Sequence, residues 1–196
     1  TENMYGTYFS NPLSDLIQNE NYSRSTQVYV NAFADIKLWK GLVFRTEYAA
    51  NYNYNTGYRF TPSYDYEFFK QQSSASRSAG NGSNWTLKTY LTYNGTFGKH
   101  NVSVMAGHEA QENNWESLDG SRTNFLFNSV HELNAGDATT AKANSSRGSS
   151  AIESYFGRLN YNFADRYLLT ATLRADGSSS FAKESRWGWF PSVALA

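Results

Sequence analysis

The 196-residue sequence balances 17 Lys and Arg against 17 Asp and Glu, lacks cysteine, and is 17% aromatic, with 15 Tyr and 13 Phe. Zero net charge without a basic block gives no support for a nucleic-acid partner, and the lack of cysteine excludes disulfide frameworks, thiolate nucleophiles and Cys-based metal sites. Mean hydropathy is −0.62, and no run approaches the roughly 20 apolar residues of a membrane-spanning helix. A membrane β-barrel remains compatible, because each of its strands is apolar only on alternate residues. Behind Thr1 there is neither a charged start nor an apolar segment, so the expectation is a removed leader or an internal piece of a longer chain.

Period-two alternation, the signature of strands, runs through most of the sequence. Over residues 24–38, Val28, Val30, Ile36 and Leu38 share one face, against Asn31, Asp35 and Lys37. After Trp39-Lys40-Gly41, Leu42, Phe44, Tyr48, Tyr52 and Tyr54 oppose Arg45, Glu47, Asn51 and Asn53. Over 84–97, Trp85, Leu87, Leu91 and Tyr93 oppose Lys88, Tyr90 and Asn94. A tight Gly98-Lys99-His100 turn leads to Val102, Val104 and Ala106 against Ser103, Met105 and Glu109. Over 154–163, Tyr155, Leu159 and Tyr161 oppose Arg158 and Asn160, and the Ala164-Asp165-Arg166 turn follows. Next, Leu169 and Leu173 oppose Thr172, Arg174 and Asp176, and a last strand begins near residue 186. Mid-strand charges keep to the less apolar face, and a one-residue slip would reverse them, so the register is firmly specified. His108, on the apolar face, and Glu153, at a strand end, break this parity.

The turns near Lys40, Lys99 and Asp165 are short, whereas 55–83 and 113–150 read as long structureless loops rich in Ser, Asn and Gly. Compact soluble domains rarely hold such loops; outer-membrane barrels place short turns in the periplasm and long loops outside. The strands read as about 10 to 15 residues long, above the usual mode of about five or six. Aromatics gather at both strand ends: Trp39, Phe97, Phe163 and Tyr167 by the short turns, and Tyr52, Tyr54, Trp85, Trp115, Trp187 and Trp189 toward the long loops. Two such belts suit two membrane interfaces. The fold expected is all-β, an antiparallel transmembrane β-barrel segment of about seven strands. A soluble carbohydrate-binding β-sandwich is the alternative, since its strands also carry one apolar face.

Residues 154–196 contain Gly157-Arg158-Leu159-Asn160-Tyr161, then Leu173-Arg174-Ala175-Asp176-Gly177-Ser178-Ser179-Ser180-Phe181 and Trp187-Gly188-Trp189-Phe190-Pro191-Ser192. This stretch resembles the signature segment of the SusC/RagA family of TonB-dependent transporters. Lys40-Gly41-Leu42, Gly98-Lys99-His100-Asn101, Ala106-Gly107-His108-Glu109 and Asn11-Pro12-Leu13 resemble it as well. The resemblance implies TonB-dependent import of oligosaccharides or peptides across the outer membrane, a SusD-like surface lipoprotein over the extracellular mouth, and contact with the TonB complex through a plug. Residues 1–196 carry neither the plug nor the barrel-closing strands, so they are expected to be part of the barrel domain of a longer polypeptide.

Arg174 and Asp176 point to the polar face, where Arg158 of the preceding strand is expected to join them in a lumen-side charge cluster. That cluster is either a contact for plug or substrate, or a self-neutralising network in the wall. The aromatics Tyr58, Phe60, Tyr64, Tyr66, Phe68 and Phe69 either stack on sugars or peptides at the extracellular face or fold their loop on itself. The three histidines fall at different heights of the expected sheet and the carboxylates are scattered, so neither a catalytic nor a metal site is read. No cofactor is implied. An outer-membrane barrel enzyme, the other rival, would need such a cluster.

Overall fold

The computed structural model describes residues 19–66 and 69–196. Among these residues nine strands follow in order: β1 (Glu20–Trp39), β2 (Leu42–Thr61), β3 (Tyr64–Tyr66), β4 (Phe69–Gln71), β5 (Ser74–Phe97), β6 (His100–Thr123), β7 (Lys142–Phe163), β8 (Tyr167–Ser178) and β9 (Trp187–Leu195). Seven form one antiparallel sheet in the order β1-β2-β5-β6-β7-β8-β9, and β3 pairs with β4 as a separate hairpin. Each large strand therefore lies beside its neighbour among the large strands, a meander in which short turns join β1 to β2, β5 to β6 and β7 to β8. A sandwich needs a second sheet across the apolar face; among the described residues the only other sheet is the small β3–β4 hairpin. Asn11-Pro12-Leu13 and Phe68 lie outside the described residues.

The three short turns match the sequence reading. Gly41 takes φ +82 and Gly98 φ +63, the left-handed region where a Cβ is disfavoured. Gly41 also accepts a 2.8 Å hydrogen bond from the Asn94 N–H of β5, and a Cβ placed on it would collide with the Asn94 carbonyl. At the third turn Ala164 and Asp165 both have φ +55. The Asn162 amide supports that geometry, accepting from the Asp165 N–H (3.0 Å) and donating to its carboxylate (2.7 Å). The Ala164 N–H reaches the Lys99 carbonyl at 2.8 Å, tying this turn to its neighbour.

The two expected loops are a correction. Strand β2 continues to Thr61 and β5 begins at Ser74, so 55–83 shrinks to a connector over 62–73 that contains the β3–β4 hairpin. Likewise β6 reaches Thr123 and β7 starts at Lys142, which leaves 124–141 in place of 113–150. The added segments, such as Ser74-Ala75-Ser76-Arg77-Ser78 and Lys142-Ala143-Asn144-Ser145-Ser146, are polar on both faces. Ladder hydrogen bonds form there without any alternation to announce them. The resulting strands of 20 to 24 residues are about twice the 9–11 residues a membrane strand needs.

Two compact units divide the chain and are described separately. The first comprises the described start of β1 to Thr26, Tyr54–Asn81 and Glu116–Arg147; the second comprises Gln27–Asn53, Gly82–Trp115 and Gly148–Ala196. The first holds a small apolar core of Phe60, Ala75 and Phe125, with Tyr58 and Leu133 packed against it. The second keeps large apolar side chains exposed on its sheet, Leu91 at 41% and Leu173 at 46% among them. Exposure of that extent suits a face turned to lipid.

Gly41→Ala should cost about 1–3 kcal/mol, because positive φ and the clash with Asn94 add. Gly98→Ala should cost less, since its Cβ would meet nothing within 4 Å. Heat-modifiability of the full-length receptor on gels measures both, and equal midpoints for the two variants would contradict the steric account.

Candidate functional site

In the second unit, one face gathers the charges. The pleat sends odd residues of β1, β2 and β6 and even residues of β5, β7 and β8 to the same side. Arg45 Nη1 lies 3.5 Å from Asp35, and Arg45 Nε makes a 2.6 Å charge contact with Glu47. The Arg45 guanidinium also sits 4.6 Å from the centre of the Phe33 ring, and the Tyr90 hydroxyl donates to Glu47 at 3.3 Å. A second network spans four strands. Lys88 of β5 pairs with Glu109 of β6 at 2.9 Å, and Glu109 also meets Arg174 of β8 at 3.4 Å. Arg174 donates from Nε to Asp176 (2.7 Å) and from Nη2 to Ser154 of β7 (3.0 Å), whose side chain is fully buried. Two cations and two anions make this network neutral within itself.

Arg174 and Asp176 thus meet as the sequence suggested, but Arg158 does not join them. The β7–β8 register sets Ser154 opposite Asp176 and Phe156 opposite Arg174, while Arg158 faces Thr172 two rungs away. Glu109 and Lys88 supply the remaining charges. Parity had already placed both on the polar face, yet nothing in one strand's sequence says which rung of its neighbour it meets.

The two residues that break parity on the other face find each other. His108 Nε2 lies 3.1 Å from Glu153 Oε1, and the Tyr155 hydroxyl donates to the same oxygen at 2.8 Å. The Tyr155 ring lies 4.9 Å from that of His108 and 5.9 Å from that of Trp187. Nearby in sequence, Trp85 Nε1–H donates to Glu112 at 3.2 Å. These are polar handles on an apolar face, as aromatic side chains at a membrane interface require. By the short turns, His100 meets the Tyr161 hydroxyl at 2.7 Å and packs on Phe163, which stacks with Tyr167. His100 and His108 therefore serve separate clusters, and among the described residues no group of three or more His, Cys, Asp or Glu could hold a metal ion.

In the first unit, Phe60 is 1% exposed, edge-on to Phe125 at 5.5 Å and stacked on His131 at 4.0 Å. Its ring is thus taken up by packing within the loop region. Tyr58 lies under the Arg77 guanidinium at 4.0 Å, and Arg77 pairs with Glu132 at 3.1 Å. Burial, with the Glu20 carboxylate close by, raises the Tyr58 phenol above its ordinary range. Tyr64 and Tyr66 belong to β3, and Phe69 pairs with Tyr66 across the β3–β4 ladder. The 124–141 segment is stitched down by side chains. Asn128 accepts from the Ser63 N–H (2.9 Å) and donates to its carbonyl (3.0 Å), while Ser73 Oγ accepts from the Phe125 N–H (2.8 Å). His131 Nδ1 meets Glu20 at 3.2 Å. Leu126 and Phe127 stand out at 87% and 67% exposure.

Arg174→Met leaves Asp176 and buried Ser154 without their donor and should cost about 1–3 kcal/mol. Arg158→Met should stay within about 0.5 kcal/mol. Urea unfolding of the full-length receptor in detergent separates the two, and equal losses would dissolve the network. In the loop, Asp137 accepts from the Thr139 hydroxyl (2.7 Å) and N–H (2.8 Å), which lowers its carboxyl below the usual 3.8. A lowered folded value contributes stability above the unfolded value, lost as pH falls through the folded one. Protection of the Thr139 amide, taken relative to its intrinsic exchange rate at each pH, should therefore hold at neutral pH and fall only in acid below pH 3.8, whereas Asp137→Ala should lack it throughout.

Comparison with known proteins agrees with this geometry. The family model described as TonB dependent receptor-like, beta-barrel matches residues 2–196. TonB-dependent receptor P3 of Formosa agariphila is 32% identical over 99% of the chain and 20% of its own length. TonB-dependent receptor SusC of Bacteroides thetaiotaomicron is 36% identical over 57% of the chain and 11% of its own length. The structure of the RagAB peptide transporter superposes with a TM-score of 0.89 at 22% identity, over 98% of this chain and 22% of that one. The chain spans about a fifth of the length of the curated relatives it matches most fully. It belongs to the TonB-dependent receptor β-barrel family, whose barrels span the outer membrane.

Proposed function

We propose that these residues form part of the wall of an energised importer that carries oligosaccharides or peptides across the outer membrane. The observation that carries this reading is the family match over nearly the whole chain, together with a sheet that is apolar on one face and ion-paired on the other. In such a barrel the apolar face meets lipid and the charged face lines the lumen. The Lys88–Glu109–Arg174–Asp176 network then stands where a plug domain would pack, and its neutrality suits a wall that must release what passes. The plug and the strands that close the barrel would come from the rest of a chain about five times as long, as in relatives of which this chain spans about a fifth. Engagement of the TonB complex by that plug is part of the same reading.

A SusD-like surface lipoprotein is the proposed partner at the extracellular side. The similarity to SusC and to the RagAB transporter supports it. Among the described residues, the exposed pair Leu126 and Phe127 offers an apolar contact of the size a partner loop would cover. Tyr58 and Tyr64 belong to the same loop region, where a bound ligand or partner would be met. The alternative of a soluble carbohydrate-binding sandwich is not favoured, because among the described residues no second sheet packs on the leucine-bearing face.

Orientation gives the direct test, and the absence of cysteine from these 196 residues makes it clean. In the full receptor, stripped of any other exposed cysteine, Leu126→Cys should react with a membrane-impermeant maleimide on intact cells. Lys99→Cys should react only after the outer membrane is permeabilised. The reverse pattern would overturn the arrangement. Uptake that persists without the TonB complex would overturn the importer.

A further inference from the structure

In the first unit the sheet has one covered face and one open face. Phe60 of β2 and Ala75 of β5 are buried with Phe125 in the small core, so alternation sends Arg59, Thr61, Ser74 and Ser76 to the opposite side. The Asn124 N–H donates to the Ser73 carbonyl at 3.0 Å. That bond fixes β5 against β6 and brings Ser121 and Thr123 to the same side as Ser76 and Ser74. These six residues line a hollow of about 330 Å³. Arg122 borders it too, but its guanidinium donates to the Asn134 and Gly136 carbonyls at 3.4 and 3.2 Å, and Gly136 lies against the Phe125 ring. No carboxylate lines the hollow. Asp119, two residues before Ser121, lines the adjoining one together with Lys142. Among the described residues, the Arg59 guanidinium and the five hydroxyls around it have no side-chain partner.

We propose that this hollow is an anion subsite that takes a carboxylate or sulfate group of the imported solute; this rests on the importer reading above. A guanidinium presents a planar fork of N–H donors, which two oxygens of either group meet side by side. Hydroxyl groups turn to donate to the oxygens that remain, and Thr61, Ser74, Ser76, Ser121 and Thr123 surround the fork with five of them. The other arginines that carry charge contacts are built differently. Arg45, Arg77 and Arg174 have carboxylates at 3.5, 3.1 and 2.7 Å, so their charge is already answered within the chain. Around Arg59 hydroxyls stand where those arginines have carboxylates, which leaves one positive charge for a ligand and donors to complete its shell. One cation matches one singly charged group. The hollow, at the lower end of the size range of small-molecule sites, admits that group with the ring or residue that bears it.

The experiment reads the site itself, by phenylglyoxal modification of arginines in the full-length receptor, mapped by peptide mass. Arg147, exposed and sharing its own hollow with Glu116, is the internal control. Sodium sulfate or acetate at tens of millimolar should slow modification of Arg59 by about threefold or more relative to chloride of equal ionic strength, and leave Arg147 unchanged. The Ser76→Ala, Ser121→Ala double variant keeps the charge and should lose most of that protection while remaining heat-modifiable on gels. Equal rates for Arg59 in sulfate, acetate and chloride would overturn the subsite. Digests of a sulfated galactan and of polygalacturonate, and a pool of acidic peptides, then separate the sources of the anion. One of them should shield Arg59 at lower concentration than the free ion does, and Arg59→Gln should weaken its binding by about tenfold. Shielding by the small ions alone would mean an adventitious ion only, and would also overturn the proposal. Uptake of the shielding pool that is indifferent to the TonB complex would instead remove the importer reading and leave the anion hollow standing.

Discussion

Everything in this sheet follows from one constraint: in an extended strand, successive side chains leave on opposite faces. Once the short turns fix which strands are neighbours, each residue is committed to one of two environments. The aliphatic side chains of β2, β5 and β8 share a face, and the ionised ones share the other. Neither commitment can be changed locally, because a slip of one rung would move Arg174, Asp176 and Glu109 among the leucines together. In hydrocarbon that error would cost several kcal/mol per charge at the midplane, so register and membrane orientation are effectively one property.

The charged face solves a problem that the constraint creates. Ionised groups on a partly buried wall lose hydration, and they recover it only from one another or from hydroxyl groups close by. Lys88, Glu109, Arg174 and Asp176, with Ser154 beneath them, do this across four strands. Arg45 does the same with Asp35 and Glu47. Within these networks each ionised group has an opposite charge close by.

The apolar face has its own exceptions, and they obey the same logic. His108 and Glu153 look like errors when each strand is read alone. Across the β6–β7 pair they are partners, completed by the Tyr155 hydroxyl and backed by Trp187. Polar atoms at a membrane interface need such partners because lipid supplies few. In the first unit, Phe60, Phe125 and His131 use aromatic packing to fold a connector that carries no alternation of its own.

By itself the sequence determined the strand faces and the three tight turns, and with them the hairpins β1–β2, β5–β6 and β7–β8. Those depend on local chemistry: alternation of apolar and polar residues, glycine at Gly41 and Gly98, and connections too short to reach past a neighbour. It also placed Arg174 and Asp176 together, since residues two apart on a strand always share a face. Only the tertiary structure decided that Arg158 stands opposite Thr172, two rungs from Arg174, and that Glu109 and Lys88 complete the network. Cross-strand register sums contributions from whole strands, and no single residue announces it. The same holds for the ends of β2, β5, β6 and β7, which read as loops because they are rich in Ser, Asn and Gly. Their ladders form because the neighbouring strand is already in place, and a backbone N–H pairs with a waiting carbonyl whatever side chain lies beside it.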